Sequence, residues 1–118
     1  MNRYKELIVW QKSVDLSVEV YGLTEKFPKS EMYGLVSQIN RCSVSIPSNI
    51  AEGAGRNSNA EFNQFLGIAS GSSYEIETQV IIAQKLNYIS EEKLNTLITK
   101  IEEIQKMIYK LQLTLKTK

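Results

Sequence analysis

The residues with the most unusual chemistry in this sequence lie between positions 38 and 56. Polar side chains recur there at spacings of three and four, which places them along one flank of a helix. A solvent-facing helix usually carries loose lysines and glutamates, so arginine with amides and hydroxyls indicates a hydrogen-bonded network that is partly buried. The members of this polar flank are Gln38, Arg41, Ser45, Ser48, Asn49, Glu52 and Arg56.

A buried guanidinium needs a carboxylate partner, and the next helix offers Glu75 or Glu77 to Arg41. Three interpretations of the polar flank stay open: a network that joins two helices of one subunit, an interface between subunits, and a site for a ligand or nucleic acid. If Arg41 is buried and paired, we expect its replacement by alanine to destabilise the fold by about 3–5 kcal/mol.

The composition argues against several kinds of active site. The 118 residues include no histidine and one cysteine, Cys42, which removes the usual general base, the Glu-x-x-His motif of di-metal bundles and any disulfide within the chain. The glycine turn at residues 53–56 lacks the preceding strand and the Lys-Ser/Thr pair of a phosphate-binding loop. We therefore expect no enzymatic activity, no metal and no cofactor, and a Cys42 that packs as a small core residue.

Charge is distributed unevenly although the net charge is only +1. Residues 59–89 carry one lysine against three glutamates, whereas residues 90–118 carry six lysines against four glutamates. The candidate contacts to nucleic acid are Lys93, Lys100, Lys106 and Lys110. No apolar run is long enough to cross a membrane and the N-terminus has no apolar signal segment, so we expect a cytoplasmic protein.

Four amphipathic helices must position these residues, because apolar side chains recur at helical spacing in four stretches. Short connections between long helices predict an all-α, antiparallel, up-down-up-down four-helix bundle that forms a single domain over residues 1–118. The predicted helices cover approximately residues 7–26, 31–53, 59–87 and 91–116.

Capping residues mark the predicted helix ends. Ser30 and Ser90 are expected to cap the second and fourth helices, Ser58 begins a Ser-x-x-Glu capping box, and Asn87 ends the third helix. The second helix is expected to stop at residues 53–55, with a glycine in the left-handed conformation.

Two further features of the second and third helices affect packing. Pro47 lies inside the second helix and predicts a kink, or a break into two helices, with the hydroxyls of Ser43, Ser45 and Ser48 satisfying the freed backbone groups. The third helix has a tract of small residues, in which Gly67, Gly71 and Ser72 predict close approach of another backbone within the bundle or between subunits.

Motifs along nearly the whole chain resemble one known family. They are L-I-V-W-Q at 7–11, F-P-K-S-E-M-Y-G-L at 27–35, S-Q-I-N-R-C at 37–42, S-I-P-S-N-I-A-E-G at 45–53 with Arg56 after it, and F-L-G-I-A-S-G-S at 65–72 with Glu75. With these motifs the chain resembles the small four-helix-bundle proteins encoded in intervening sequences of bacterial 23S ribosomal RNA genes, a family related to the accessory protein of diversity-generating retroelements. Asn40 and Cys42 depart from the R-R-A that many members carry here, which lowers the positive charge.

The resemblance implies a left-handed up-down bundle, a homo-oligomer with a barrel-like pentamer as the expected form, and no enzymatic activity. It also implies structured RNA or a reverse transcriptase as candidate partners, although the molecular role of the family is largely unassigned. The residues that match the family motif, without a catalytic role, are Gln38, Arg41, Asn49, Glu52, Arg56, Gly71, Ser72 and Glu75.

Two functions remain in view from the sequence. One is an oligomeric bundle that binds structured RNA, and the other is an adaptor that docks a protein and binds no nucleic acid itself. The position of the lysines on the folded protein discriminates between them, because lysines gathered on one face favour RNA binding and scattered lysines favour the adaptor.

Overall fold

The computed structural model of the protein describes residues 3–116, so the first two and last two residues of the predicted domain lie outside it. The described residues form four α-helices and no strand, which confirms the all-α, four-helix prediction. Short 3-10 helices, Tyr4–Glu6 and Lys29–Glu31, precede the first and second α-helices. The α-helices are α1 (Ile8–Thr24), α2 (Leu35–Ala54), α3 (Asn59–Lys85) and α4 (Glu91–Lys116).

The helices pack around one apolar core in a molecule of 46 × 23 × 20 Å. The most extensive contact joins α2 to α3, and α1 also contacts both α2 and α4. Side chains spaced by three and four fill the core, because that spacing keeps them on one face of each helix. Those of α2 and α4 are Ile39, Cys42, Ile46, Ile50, Ala54, Leu97, Ile101, Ile104 and Ile108.

The start of α2 differs from the prediction. Ser30 was expected to cap the helix, but it lies in the 3-10 helix, and α2 begins only at Leu35. The cap comes instead from Glu31, whose carboxylate oxygen accepts a hydrogen bond of 3.1 Å from the amide of Leu35. The same residue accepts a hydrogen bond of 2.9 Å from the Tyr88 hydroxyl, and so ties the α1–α2 connection to the α3–α4 connection.

Pro47 lies within a single helix, so the alternative of two separate helices is wrong. Proline lacks the N–H that would otherwise bond to the carbonyl of Ser43, four residues earlier. The sequence suggested that hydroxyls of α2 itself would compensate. The structure instead supplies Ser17 of α1, whose hydroxyl donates to the carbonyl of Ser43 over 2.8 Å. Because this bond is buried, it both satisfies the carbonyl and fastens α1 to α2.

The helix ends use different signals from one another. No glycine among the described residues has a positive φ, so the predicted left-handed glycine at the end of α2 is wrong. The left-handed residue follows α3 instead, where Asn87 has a φ of 65°. The amides of Asn87 and Tyr88 bond to the carbonyls of Gln84 and Ala83, a Schellman arrangement that ends α3.

Candidate functional site

A short hydrogen-bonded ladder lies in the contact between α2 and α3. The hydroxyls of Ser45 and Ser72 are 2.8 Å apart and bridge the two helices. The Asn49 amide donates to the backbone carbonyl of Ser45 over 2.8 Å and to its hydroxyl over 3.0 Å. The structure therefore brings together three of the polar residues that the sequence singled out.

The sequence left open whether Arg41 is buried and paired, and within the described residues of one chain it is neither. The side chains of Arg41 and Gln38 are exposed, and within residues 3–116 neither side chain forms a hydrogen bond or ion pair. Glu75 is exposed as well, while Glu77 accepts a hydrogen bond of 2.8 Å from Gln105 of α4. The physical reason is rotational: Arg41 points further from the core than Ser45 and Asn49 do, so solvent replaces the predicted carboxylate.

Glu52 and Arg56 form the ion pair that their spacing indicates. Their closest nitrogen and oxygen atoms are 2.8 Å apart, and both side chains are largely exposed. The Arg56 guanidinium also lies 4.7 Å from the centre of the Phe65 ring, a cation–π contact between the end of α2 and the start of α3. This pair stabilises the α2–α3 corner modestly, because exposed ion pairs contribute about 0–1 kcal/mol.

Close backbone packing occurs at Gly53 rather than within α3. A Cβ added to Gly53 would lie 2.7 Å from the Cβ of Phe65. Gly67 and Gly71 are exposed, and a Cβ at Gly71 would meet nothing within 4 Å. The predicted close packing at these two glycines is therefore absent within the described chain. The sequence carried a signal for Gly53, since it continues the apolar spacing that ends with Ile50.

An exposed surface beside the ladder combines apolar and unpaired charged groups. On α3, half-exposed Ile68 and Ile82 share an edge with Gly71 and Glu75, at spacings of three, four and seven residues. Arg41 lies on the adjoining edge of α2, near enough for both it and Glu75 to influence the Cys42 thiol. We call these five residues, Arg41, Ile68, Gly71, Glu75 and Ile82, the α2–α3 face.

Cys42 lies beneath this face in a buried position. Burial raises the pKa of its thiol, and the nearby Glu75 carboxylate raises it further, outweighing the opposite effects of Gln79 and Arg41. A raised pKa leaves less thiolate at neutral pH, and the thiolate is the reactive form. The arrangement fits a packing residue, as the sequence indicated.

Three of the four candidate nucleic-acid lysines line one groove between α1 and α4, together with Lys12. The groove has a volume of about 550 Å³, and we call it the lysine groove. Lys100 is 2.6 Å from Glu19, and Lys12 is 3.3 Å from Glu103. Lys106 and Lys110 form no ion pair within the described residues, and Lys93 lies outside the groove.

A second groove, of about 640 Å³, lies on the other side of Lys106 and Lys110, between α3 and α4. Tyr74 and Tyr109 line it with side chains that are 57% and 61% exposed. We call it the tyrosine groove. Sequence reasoning missed these tyrosines, and the signal available was their non-core position on otherwise amphipathic helices. Its remaining lining residues are Ser70, Glu102, Gln105, Lys106, Lys110, Gln112 and Leu113.

Comparison with known proteins places this geometry in a family. The family described as "23S rRNA-intervening sequence protein" matches residues 5–110. The chain belongs to this family. The matched range includes the polar ladder, all five residues of the α2–α3 face, and Lys106 and Lys110 at the boundary between the grooves. The sequence resemblance is thereby confirmed.

A solved structure shares the fold of this 23S rRNA-intervening sequence family member. It is a crystal structure of a protein with unknown function from the S23 ribosomal protein family of Bacteroides thetaiotaomicron. The two chains are 25% identical and superpose with a TM-score of 0.83, over 89% of this chain and 95% of the other. No curated protein matches the chain.

The described residues of this family member contain neither a candidate metal site nor a candidate membrane span. Among residues 3–116, no group of three or more cysteine, aspartate or glutamate side chains is placed to hold a metal ion. None of the helices in that range is long and apolar enough to cross a membrane.

Proposed function

We propose that the protein is a non-enzymatic, homo-oligomeric bundle that binds structured RNA through the lysine groove. The observation that carries the proposal is the convergence of Lys12, Lys100, Lys106 and Lys110 on one groove between α1 and α4. Phosphate groups bind best where cations are gathered, because each contact releases condensed counterions. Four lysines face two glutamates there, in a chain whose overall charge is only +1.

Lys106 and Lys110 are the cations that would contribute most to such binding. Neither has an ion-pair partner within the described residues, so neither must give up an existing interaction to bind phosphate. Lys12 and Lys100 would first have to leave Glu103 and Glu19.

A filter-binding titration with a structured RNA tests this proposal across salt concentrations of about 50–200 mM. We expect affinity to fall steeply with salt, and the Lys106→Gln/Lys110→Gln variant to weaken binding and reduce the slope by about one to two units. Lys93→Gln is the matched control, because Lys93 is on the same helix but outside the groove. Absence of binding by the native protein at the lowest salt would refute RNA binding.

The assembly that we propose uses the α2–α3 face. Arg41 and Glu75 carry opposite charges without an ion-pair partner in the described chain, so each is available to a second copy. Ile68 and Ile82 supply apolar area to bury, and Gly71 leaves space for a close approach. The pentamer, the left-handed turn of the bundle and a cytoplasmic location belong to the same proposal, and rest on the family resemblance and on the lone buried thiol.

Light scattering tests the assembly. We expect the native protein to have a mass several times that of one chain at micromolar concentration, and Ile68→Glu/Ile82→Glu to reduce it. Val18→Glu is the control, since Val18 is 69% exposed on α1 and outside the face. A monomeric native protein, or an equal loss in the control, would contradict the proposal.

The up-down-up-down topology is also part of the proposal. Hydrogen bonds between α1 and α2 pair Ser17 with Ser43 and Thr24 with Asn40, so residue numbers rise along α1 as those of their partners in α2 fall. The α3–α4 contacts follow the same reversed order, with Gln105 on Glu77 and Gln112 on the carbonyl of Asn63. Reversed order supports antiparallel neighbours.

A second candidate is an adaptor that docks a protein, such as a reverse transcriptase, without binding nucleic acid. The observation that favours it is the neutralisation of Lys12 and Lys100 by glutamates already in contact with them. The salt titration separates the two candidates, because the adaptor predicts no salt-dependent RNA binding.

A further inference from the structure

The tyrosine groove has features that RNA binding through lysines alone does not require. Tyr74 of α3 and Tyr109 of α4 line it together, and more than half of each side chain is exposed. Within residues 3–116, neither ring packs against another aromatic ring, and neither hydroxyl forms a hydrogen bond. Both rings are therefore available to a ligand, next to a lysine pair without an ion-pair partner.

We propose that the tyrosine groove binds an unpaired stretch of nucleic acid, with bases stacked on Tyr74 and Tyr109 and phosphates held by Lys106 and Lys110. Exposed aromatic rings beside a cationic backbone track are the arrangement by which proteins bind single strands, since every base has a flat face. This inference rests on the proposed RNA binding and specifies which part of the RNA is recognised.

The two grooves fit different parts of one structured RNA. Lys106 and Lys110 line both of them, so they form a ridge that both parts would share. Paired stems offer mainly phosphates and sugars, whereas loops and bulges offer unstacked bases. The lysine groove, which has no tyrosine in its lining, thus suits a stem, and the tyrosine groove suits the loop beside it.

Glu102 is the acidic residue in the lining of the tyrosine groove, and it forms no ion pair within the described residues. Its charge repels a phosphate backbone, so its removal provides a test with the opposite sign. Gln105, which also lines the groove, is held by its hydrogen bond to Glu77 and keeps that wall in place.

The experiment compares three labelled probes by fluorescence anisotropy at about 50 mM salt: an RNA hairpin with an unpaired loop, the same stem as a fully paired duplex, and an oligouridylate. Tyr74→Leu and Tyr109→Leu are each expected to weaken binding of the hairpin and the oligouridylate by roughly five-fold or more, with duplex affinity unchanged. Glu102→Gln is expected to strengthen binding of all three probes, because Glu102 lines both grooves. Tyr33→Leu is the control, because Tyr33 is 94% exposed and lines neither groove.

The outcomes distinguish this inference from the proposed function. If the tyrosine variants bind all three probes like the native protein while Lys106→Gln/Lys110→Gln binds weakly, the stacking inference is overturned and RNA binding stands. If the native protein binds only the oligouridylate, base stacking in the tyrosine groove is supported and binding of structured RNA by the lysine groove is refuted. If it binds no probe, both are overturned. Circular dichroism spectra identical to that of the native protein verify that the variants fold.

Discussion

Replacing Gly53 by alanine should destabilise the protein, although alanine is the better helix former. The added Cβ would lie 2.7 Å from the Cβ of Phe65, and 3.0 Å and 3.2 Å from the Cδ1 and carbonyl oxygen of Phe62. The Cβ of Phe65 is attached directly to the backbone of α3, so no side-chain rotation can relieve the overlap. The two helices would have to move apart at their closest approach.

The size of the effect follows from two opposing contributions. Overpacking a well-filled contact costs about 1–3 kcal/mol. Alanine recovers about 0.5–1 kcal/mol relative to glycine in a helix interior, because glycine loses more backbone freedom on folding. The difference spans about 0–2.5 kcal/mol, and the low end is excluded because the Cβ of Phe65 cannot rotate away. We therefore expect Gly53→Ala to lower the free energy of unfolding by about 1–2 kcal/mol.

Gly22→Ala is the matched control, because it makes the same chemical change near the end of α1 and outside the α2–α3 face. A Cβ there meets nothing within 4 Å, so only the gain in helix propensity remains, about 0.5–1 kcal/mol. Urea melts followed by circular dichroism measure both variants, at two protein concentrations, because assembly adds a concentration-dependent stability. The reasoning is refuted if Gly53→Ala is as stable as the native protein, or if Gly22→Ala is destabilised to the same extent.

Three further predictions concern contacts described above. Ser17→Ala should lower the free energy of unfolding by about 1–2 kcal/mol in urea melts. The loss should be smaller in a Pro47→Ala background, because the restored amide of residue 47 then satisfies the Ser43 carbonyl. An equal loss in both backgrounds would contradict this. The hydrogen bond to Glu31 raises the pKa of Tyr88 above its ordinary value of 10.0, with burial adding to the effect. The protonated tyrosine therefore contributes stability that is present below pH 10 and is lost as pH rises through the folded-state pKa, and urea melts between about pH 9 and pH 12 should show a decline that Tyr88→Phe lacks; identical pH profiles would argue against it. Arg41→Ala should change the free energy of unfolding of the dissociated chain by less than about 0.5 kcal/mol, since the side chain is exposed and unpaired, and a loss above about 2 kcal/mol would show a missed buried partner.

Local signals in the sequence located some helix ends well. Ser58 accepts a hydrogen bond of 3.2 Å from the amide of Glu61, and Ser90 accepts one of 3.0 Å from that of Lys93. Both bonds depend on residues three apart in the chain, so the sequence contains everything needed to predict them. The start of α2 did not follow its local signal at Ser30, because Glu31 is also bonded to Tyr88, which is 57 residues away.

The polar flank was harder to predict, because helical spacing gives a side chain's direction but not what covers it. Ser45 meets Ser72 across the α2–α3 contact, whereas Arg41, four residues earlier, is in solvent. Periodicity cannot separate these positions, since they differ by a small rotation about the helix axis and the outcome depends on the neighbouring helix. The tyrosine groove could not be predicted for the same reason, because its lining comes from both α3 and α4 and depends on how they pack.

The glycines of α3 make no close backbone contact within the described residues of one chain, for a related reason. A glycine permits close approach but does not cause it, and Gly67 and Gly71 face away from the core. Gly53 has a neighbour because its position on α2 points towards α3. The direction of each glycine relative to the apolar spacing was therefore more informative than the density of small residues.

The contact at Gly53 also has a consequence for the order of folding. Gly53 and Phe65 are a dozen residues apart, whereas Lys100 and Glu19, which join α4 to α1, are separated by 81. Closing the longer loop costs roughly 2 kcal/mol more in chain entropy. We therefore expect the α2–α3 hairpin to form early and α1 to meet α4 late. In a newly made chain the lysine groove would therefore form only at the final folding step, because its two walls are the first and last helices.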